Sequence, residues 1–344
     1  MTIILNVMFG RKRGGLEQVA VDYHEALSPR HAVTTVMSQG AWSLDEVRKL
    51  PQGQTETISP FGDWDPLAAM ALRALAKKTG AEIAICTGNR AVGLGQRALG
   101  GLIPVVGVAQ NYKLKRFPRC DAGFGPTQDL VTTLQTLGIP AASTFHIPNM
   151  VRIPAPLPKP QNPVPVIGSM GRFVEKKGFA HYIKALGALK RSGAKFKALL
   201  GGDGELENDL KALAKAEGLG EDLSFTGWVV DKSAFFAQLD IFVLPSLHEP
   251  FGIVLIEAMA AGMPTITTDS EGPREIATHG VDALIYPMGD AAALTKSLSE
   301  LLQAPDKAAT MGAAARARAI ETYDINAVGK RMDAAIASIL AARR

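Results

Sequence analysis

Residues 240–269 read DIFVLPSLHEPFGIVLIEAMAAGMPTITTD and show the unit from which the chain is built. The first run, DIFVLPS, is short, apolar and rich in strand-forming residues, which is typical of a buried strand. GIVLIEAMAAG then has the composition of a buried helix, and PTITTD returns to a strand. A strand, a helix and a second strand in this order predict part of a parallel sheet covered by helices.

The same alternation extends through both halves of the chain. In the first half, TIILNVMF, AVTTVMS, AEIAICTG and LIPVVGVAQ indicate strands, and GLEQVAVDYHEAL and DPLAAMALRALAKKTG indicate helices. The second half restarts the pattern at VPVIGSMGRF. We therefore predict an α/β fold with two doubly wound, Rossmann-like domains. Such sheets bind ligands outside the carboxyl ends of their strands, so we expect the site in the cleft between the domains.

A proline-rich stretch separates the two halves. Six prolines fall between residues 154 and 165, a density that excludes a helix or a central strand and predicts a stiff, extended linker. The predicted division is an N-terminal domain over residues 1–155, a linker over 156–165, a C-terminal domain over 166–325 and a final helical segment over 326–344.

Composition restricts the class of protein. The chain has 344 residues, 47% of them hydrophobic and 20% charged, as in ordinary soluble globular proteins. Cys86 and Cys120 form no CxxC motif, which favours neither a disulfide framework nor a zinc site and fits a reducing cytoplasm. The N-terminus lacks the charge order of a secretory signal, and no run of about 18 apolar residues occurs. We expect a cytoplasmic protein that is neither exported nor membrane-spanning.

The net charge is only +4, but basic residues cluster in the first half. Arg11–Arg13 form one cluster, and Lys113, Lys115, Arg116 and Arg119 form the other. Both are either solvated loops or a basic face for an anionic acceptor or an anionic membrane surface. A nucleic-acid partner is not expected, because no aromatic-interleaved basic stretch or known nucleic-acid module accompanies the charge.

Several loops at predicted strand ends have ligand-binding composition, although no GxxxxGK[ST] or GxGxxG fingerprint occurs. Gly14 and Gly15 precede the first helix, where paired glycines are either turn chemistry or a place for close backbone approach. Arg172 and Lys177 flank one loop, either as surface ion-pair members or as cations for a diphosphate. The loops at Gly201, Gly202 and Gly204 and at Thr226 and Gly227 are thin enough for a base or ribose to approach.

Glu257 stands within the apolar helix pattern, where an unpaired carboxylate would cost several kcal/mol. It therefore needs a partner, either the vicinal hydroxyls of a ribose or a nearby arginine or lysine. Glu249 precedes the helix and suits the hydroxyls of a second ring. The amides around Phe251 and Gly252 suit a phosphate between them. Ribose, diphosphate and sugar in line indicate a nucleotide-sugar.

Successive motifs, GRFVEKKG, GDGEL, FTGWV, LPSLHEPFGIVLIEAMAAGMPTITTD, GPREI and ALIYPMGDAAAL, resemble the retaining GT-B glycosyltransferases of family 4. GGLEQVAVDYHEAL and FHIPNMV are similar to that family's N-terminal glycine loop and the PN-containing strand before its linker. The resemblance is most specific over residues 165–290 and looser in the acceptor domain. It also implies that the last helix, INAVGKRMDAAIASIL, packs back against the first domain.

The resemblance implies a role for each matching residue. Arg172 and Lys177 correspond to the cationic pair on the donor diphosphate, Glu249 to the donor-sugar contact and Glu257 to the ribose ligand. Those implied to act in catalysis are Arg172, Lys177 and Glu249. Backbone contacts to the donor are expected from Gly14, Gly15, Gly202, Thr226, Gly227, Phe251, Gly252 and Ile253. The family needs no metal or other cofactor, and the DWD run at Asp63–Asp65 indicates a helix N-cap before Pro66.

One departure concerns the acceptor side. Many family members have a histidine after a late N-domain strand, whereas this chain has Gln110 and Asn111 there, and neither His24 nor His146 can be equated with it. The resemblance implies transfer, with retention, from a nucleotide-diphospho-sugar to a hydroxyl of a sugar or glycolipid, in lipopolysaccharide or polysaccharide synthesis, with peripheral membrane contact. The alternatives are a GT-B epimerase or phosphorylase and a non-catalytic sugar-binding protein. The sequence does not identify the donor base, the hexose or the oligomeric state.

Overall fold

A computed structural model of the chain describes residues 1–10, 15–156 and 162–343. Two parts of the sequence predictions fall outside these ranges. They are the basic cluster Arg11–Arg13 with the adjoining Gly14, and residues 157–161 of the proline-rich segment. The described chain divides into two compact units, Met1–Met150 with Ile325–Arg344, and Val151–Asp324.

The first unit contains a seven-stranded parallel sheet. Its strands are β1 (Ile3–Met8), β2 (Ala32–Met37), β3 (Gln54–Thr57), β4 (Ile83–Thr87), β5 (Val105–Val108), β6 (Ala122–Gly125) and β7 (Thr144–His146). They lie in the order β3-β2-β1-β4-β5-β6-β7. The connecting helices are α1 (Gly15–Leu27), α2 (Trp42–Arg48), α3 (Pro66–Thr79), α4 (Gly88–Leu99) and α5 (Gln128–Thr136).

The second unit contains a six-stranded parallel sheet. Its strands are β8 (Val166–Met170), β9 (Lys197–Gly201), β10 (Leu223–Gly227), β11 (Ile241–Leu244), β12 (Thr265–Thr268) and β13 (Leu284–Tyr286), in the order β10-β9-β8-β11-β12-β13. The helices are α6 (Phe179–Arg191), α7 (Glu207–Ala216), α8 (Lys232–Phe236), α9 (Ile253–Ala260), α10 (Pro273–Ile276), α11 (Ala291–Gln303) and α12 (Pro305–Arg318). The predicted fold class, two doubly wound Rossmann-like domains, is confirmed.

The last helix, α13 (Ile325–Ala341), belongs to the first unit and packs on α1. Asp333 of α13 forms an ion pair with Arg30 and lies 3.0 Å from Nε2 of His31. Gly329 lies against α1, where a Cβ atom would be 2.9 Å from the carbonyl oxygen of Ala26. The small residue therefore lets the two helices approach closely.

The DWD run caps a helix, as predicted. The Asp65 carboxylate accepts hydrogen bonds from the amides of Leu67 and Ala68 at 3.0 and 3.1 Å, and Pro66 occupies the first helical turn. These amide bonds, together with one from Phe61, outweigh the effect of burial and lower the pKa of Asp65. The Asp65 carboxylate thus caps α3, because it accepts hydrogen bonds from amides that have no partner within the helix.

Several elements have no strong sequence pattern and were not predicted. They include the polar edge strand β3, the short strand β6, and helices α2, α4, α5 and α12. Helix α4 shows why: Gly93 and Gly95 weaken its helical pattern, yet both are needed where they stand. A Cβ atom at Gly93 would lie 2.8 Å from the Asp63 side chain, and one at Gly95 would lie 2.7 Å from Sγ of Cys86.

Candidate functional site

The site in the second unit begins at the point where its strand order reverses. Strands β8 and β11 are neighbours, but the chain leaves β8 towards β9 on one side and leaves β11 towards β12 on the other. The loops that follow β8 and β11 therefore diverge at the carboxyl edge and leave a crevice, the usual ligand position in this fold. The residues Arg172 and Lys177 lie in the first loop, and Glu249 lies in the second.

The two loops are joined by backbone and side-chain contacts. Lys177 forms an ion pair with Glu249, and these side chains are only 20% and 13% exposed. The hydroxyl of Ser246 lies 3.2 Å from the same Glu249 oxygen. Gly178 follows Lys177 with φ +68°, and a Cβ atom there would lie 2.0 Å from the carbonyl oxygen of Pro245. Only glycine fits this contact, so the loop spacing depends on it.

A second carboxylate, that of Glu271, holds the Glu249 backbone in place. Glu271 Oε2 accepts a hydrogen bond from the Glu249 amide at 3.1 Å, and Glu271 Oε1 lies 2.5 Å from Nδ1 of His248. Burial disfavours the ionised form of Glu271, but the backbone amides and His248 outweigh it and lower the pKa of this carboxyl. Sequence reasoning missed Glu271, because its role depends on a contact across 22 residues.

Glu257 lies in α9 with its side chain 15% exposed. Its Oε1 is 2.5 Å from Nζ of Lys232, and its Oε2 is buried with no hydrogen-bond partner among the described residues. Burial raises the pKa of Glu257, and the Lys232 charge only partly opposes this. The structure thus realises the ion-pair alternative at one oxygen and leaves the other to accept hydrogen bonds. Lys232 was not singled out in the sequence, since nothing there links it to Glu257.

The N-terminus of α9 lies between Glu249 and Glu257. Gly252 caps the helix with φ +109°, and it offers no side-chain acceptor to the first amides of the helix, beginning with that of Ile253. Phe251 is buried, and its ring meets that of Tyr323 edge-on at 6.0 Å. Within the described part of the chain no side chain caps this helix, and the first N–H groups of an uncapped helix are of the kind that bind anions.

The remaining predicted residues of this unit occupy the neighbouring loops. Arg172 is exposed, and its guanidinium has no ion-pair partner within the described ranges. Gly202 has φ +141°, and a Cβ atom there would lie 1.9 Å from the carbonyl oxygen of Gly171, so the loops after β8 and β9 touch. Thr226 and Gly227 are exposed at the end of β10, and the Gly227 carbonyl accepts a 2.7 Å bond from the Gly202 amide.

In the first unit, Gly15 starts α1 and is exposed, and Gly14 lies outside the described residues. The Gln110 and Asn149 side-chain amides form two hydrogen bonds with each other, at 2.9 and 3.0 Å. Asn111 accepts a 2.9 Å bond from the Lys113 amide. At the position where the family resemblance led us to expect a histidine, the chain therefore has a glutamine that pairs with Asn149 and an asparagine that stabilises its own loop.

One family model matches most of the second unit. Residues 154–318 match the family model described as "Glycosyl transferases group 1". The lipopolysaccharide core biosynthesis glycosyltransferases LpsE and LpsD of Rhizobium meliloti are 39% identical over 138 residues and 38% identical over 151 residues. These alignments cover 40% and 44% of this chain and 39% and 43% of the relatives, so the chain spans about two fifths of their length.

A solved structure matches nearly the whole chain. The crystal structure of Anabaena HepE in complex with UDP and glucose aligns with a TM-score of 0.85 and 20% identity, over 98% of this chain and 100% of that one. At this identity the likeness shows the shared GT-B fold. The loops after β8, β9, β10 and β11 and helix α9 all fall within 154–318, and this segment matches the glycosyl transferases group 1 family.

Proposed function

We propose that this chain is a retaining glycosyltransferase that moves a sugar from a nucleotide-diphospho-sugar to an acceptor hydroxyl. One observation carries the proposal. Among the residues that the structure describes, one buried oxygen of Glu257 has no hydrogen-bond partner, and the uncapped start of its helix and the Lys177–Glu249 pair lie at the same switch-point edge. Three groups therefore lie along this edge. The Glu257 oxygen can accept hydrogen bonds from ribose hydroxyls, the first amides of α9 can bind an anion, and the Lys177–Glu249 pair can bind a sugar diphosphate.

Each part of the donor, from the ribose to the sugar and the base, is assigned to one of these groups. Glu257 Oε2 accepts hydrogen bonds from ribose hydroxyls, while Lys232 holds Oε1. The amides of Phe251, Gly252 and Ile253 bind the diphosphate, and Arg172 and Lys177 neutralise it. Glu249 binds sugar hydroxyls. The exposed loops at Gly202, Thr226 and Gly227 admit the base.

The chemistry breaks the bond between the anomeric carbon and the diphosphate oxygen. The electron pair leaves with the diphosphate, whose growing charge Lys177, Arg172 and the start of α9 stabilise. The acceptor oxygen attacks the anomeric carbon from the face that the diphosphate leaves, and its proton passes to a departing phosphate oxygen. Attack on that face retains the configuration of the sugar. The residues in this scheme act without a metal ion or cofactor.

The acceptor is proposed to be an anionic or lipid-linked saccharide, as in lipopolysaccharide core assembly. Two observations support this assignment. The partly matching relatives LpsE and LpsD are described as lipopolysaccharide core enzymes. Lys113, Lys115, Arg116 and Arg119 are all exposed along one loop of the first unit, which suits an anionic acceptor.

The test begins with the donor. UDP-, GDP- and ADP-sugars are each incubated with the enzyme, and slow hydrolysis of one of them identifies the base and sugar. Proton NMR of the first-formed product then reports the anomeric configuration, which should equal that of the donor. Inversion would overturn the proposed mechanism. Conversion of the donor to an epimer, or phosphate-dependent cleavage, would instead support an epimerase or phosphorylase, and binding without turnover would support a sugar-binding protein.

A further inference from the structure

The loop that follows β12 lies against the segment that carries Glu249. Strands β11 and β12 are parallel neighbours, so the loops after them leave the sheet side by side at its carboxyl edge. The Thr268 hydroxyl at the end of β12 donates a 2.7 Å hydrogen bond to the Ser246 carbonyl oxygen. Further along, Glu271 Oε2 accepts the 3.1 Å bond from the Glu249 amide, and the Gly272 amide donates a 2.8 Å bond to the Glu249 carbonyl oxygen. The loop after β12 therefore binds both backbone polar groups of Glu249.

The two loops are also in direct backbone contact. A Cβ atom at Gly272 would lie 2.1 Å from the carbonyl oxygen of Phe251 and 2.3 Å from its Cα atom, so no larger residue fits there without moving the loops apart. Phe251 in turn packs edge-on against the Tyr323 ring, with the ring centres 6.0 Å apart. These contacts set the distance between the loops, and the Glu271 side chain spans that distance to reach the Glu249 amide.

The side chain and the backbone of Glu249 have different partners. Lys177 and the Ser246 hydroxyl contact the Glu249 carboxylate, whereas Glu271 binds the Glu249 amide. Lys177 therefore compensates the charge of Glu249, and Glu271 fixes the peptide from which the Glu249 side chain projects. Removal of Glu271 would leave the charged pair in place but would allow the peptide to move.

The second oxygen of Glu271 contacts the residue before Glu249. Its Oε1 lies 2.5 Å from Nδ1 of His248, so the two carboxylate oxygens contact two consecutive residues. Burial disfavours the ionised form of Glu271, but the backbone amides and His248 outweigh it and lower the pKa, so the group is a carboxylate at neutral pH. An ionised acceptor forms shorter and stronger hydrogen bonds than a neutral one. Glu271 thus holds this segment at two points.

We propose that Glu271 is a positioning residue for the donor sugar, which orients Glu249 so that its carboxylate accepts hydrogen bonds from the sugar hydroxyls. Glu271 itself touches neither the donor nor the reacting atoms. The inference rests on the proposed function, in which Glu249 binds the sugar while Glu257 and the start of α9 bind the ribose and the diphosphate. It follows that Glu271 controls recognition of the sugar and not recognition of the nucleotide.

Calorimetric titration separates these two parts of the donor. The probes are UDP with UDP-glucose, GDP with GDP-mannose and ADP with ADP-glucose, and the variants are compared on the pair that the wild-type protein binds. Glu271→Ala should raise the Kd of the nucleotide-sugar by about tenfold, the usual effect of losing a hydrogen bond that involves a charged group, and should leave the Kd of the nucleoside diphosphate within about twofold of wild type.

Two conservative variants test the positioning itself. Glu271→Gln keeps an oxygen that accepts from the Glu249 amide, so it should restore the Kd of the nucleotide-sugar to within about threefold of wild type. Glu271→Asp keeps the charge but is one methylene shorter, so it should weaken nucleotide-sugar binding as Glu271→Ala does. If Glu271→Gln binds as weakly as Glu271→Ala while Glu271→Asp binds normally, the charge of Glu271 matters rather than its contact, and the proposal is wrong.

A double-mutant cycle shows whether Glu271 acts through Glu249. Glu249→Ala removes the group that contacts the sugar, so the addition of Glu271→Ala should change the Kd of the nucleotide-sugar by less than about twofold. Independent, additive losses from the two substitutions would contradict the proposal.

The matched control is Glu217→Ala. The Glu217 side chain is 20% exposed, against 28% for Glu271, and it pairs with Arg191. Glu217 lies at the C-terminal end of α7, where the chain turns towards the start of β10, and so at the opposite edge of the sheet. Its loss should leave both dissociation constants unchanged. Thermal unfolding establishes that each variant is folded.

The measurements distinguish failure of this inference from failure of the proposed function. If the wild-type protein binds none of the nucleotide-sugars, the proposed function fails and this inference fails with it. If the wild-type protein binds one of them but Glu271→Ala leaves the ratio of the two dissociation constants unchanged, only the role of Glu271 is overturned. An equal rise in both constants is such a result, because it would mean that Glu271 supports the whole site rather than the contact with the sugar.

Discussion

The two sheets share an order of strands but differ in what their polar residues do. In both, the first six strands run 3-2-1-4-5-6 when numbered within each unit. In the first unit, the buried side chains of Asn6 in β1 and Thr35 in β2 form a network with His24 of α1, whose ring lies 2.8 Å from the Thr35 hydroxyl. Burial disfavours the charged imidazolium and lowers the pKa of His24. In the second, Lys177 and Glu249 carry charge at the strand ends.

This difference teaches that topology sets the place of a ligand and the loop residues set its chemistry. Hydrogen bonds among buried polar side chains stabilise a unit, whereas charged groups at an open strand edge are candidates for contact with a ligand. Substitutions can therefore separate the two kinds of residue. Changes at the charged edge should alter turnover and donor binding, and changes in the neutral amide pairs should alter stability alone.

The largest effect is expected for Lys177→Ala. The diphosphate charge grows mostly in the transition state, so kcat should fall by about 100- to 1,000-fold while the Kd for the donor changes much less. Steady-state kinetics and calorimetric titration with the donor measure the two quantities. Lys176→Ala is the matched control, because Lys176 is adjacent and exposed and uses its backbone carbonyl to hold Leu247 and His248.

A second outcome of the same experiment would contradict the proposed role. If the donor Kd rises by as much as kcat/KM falls, Lys177 contributes equally to the ground state and the transition state. Lys177 would then act in donor binding. The two sheets would differ in donor affinity rather than in catalysis.

Glu257→Gln is expected to act on binding. The amide keeps the shape of the carboxylate but makes weaker hydrogen bonds with ribose hydroxyls, so nucleotide affinity should fall by about 10- to 100-fold. Lys232→Met separates the two Glu257 oxygens. It removes the partner of Oε1 and leaves Oε2 in place, so it should weaken binding less than Glu257→Gln. An equal loss in both variants would show that the ion pair, rather than a ribose contact, accounts for Glu257.

The raised pKa of Glu257 gives this prediction a pH dependence. The folded protein holds the Glu257 proton more tightly than the unfolded chain, whose glutamate has the ordinary pKa of 4.5. The unfolded state therefore loses the proton first, and the stability difference between wild type and Glu257→Gln should shift against wild type as the pH rises from 4.5 towards the folded pKa. Nucleotide affinity should rise over the same range, because the ionised carboxylate accepts the ribose hydroxyls. Denaturation and titration at several pH values measure both trends.

The sequence allowed the fold class to be predicted because strong strand and helix patterns alternate throughout it. Elements with weak patterns, such as β3 and α4, could not be predicted, because tertiary contacts outweigh their local propensities. Among the site residues, Glu257 was conspicuous for a physical reason: a carboxylate in an apolar helix requires a partner. The identity of one partner, Lys232, comes from a contact across 25 residues that no local pattern encodes.

The exposed residues around α3 also show what a sequence pattern cannot predict. A helical pattern predicted α3, and the cap at Asp65 could be inferred from the sequence, but no sequence pattern shows whether Phe61 and Trp64 are buried or exposed. The packed structure shows that both side chains are exposed. Residues that act through burial can be inferred from pattern, whereas residues that act through exposure require the packed structure.

The smallest effect on activity is expected for Gln110→Ala, the substitution at the neutral side of the comparison. Its side chain exchanges two hydrogen bonds with Asn149, which is only 2% exposed, so its loss leaves a buried amide unpaired. We expect a loss of about 1–3 kcal/mol in the free energy of unfolding, with nucleotide affinity within about twofold of wild type. Asn111→Ala is the matched control, since its exposed side chain bonds only a nearby loop amide and its loss should cost less. Thermal unfolding measures the loss of stability, and calorimetric titration measures the nucleotide affinity. A stable Gln110→Ala protein with strongly reduced transfer to the acceptor would instead assign Gln110 a role in the reaction, and the Gln110–Asn149 pair would then belong with the charged edge.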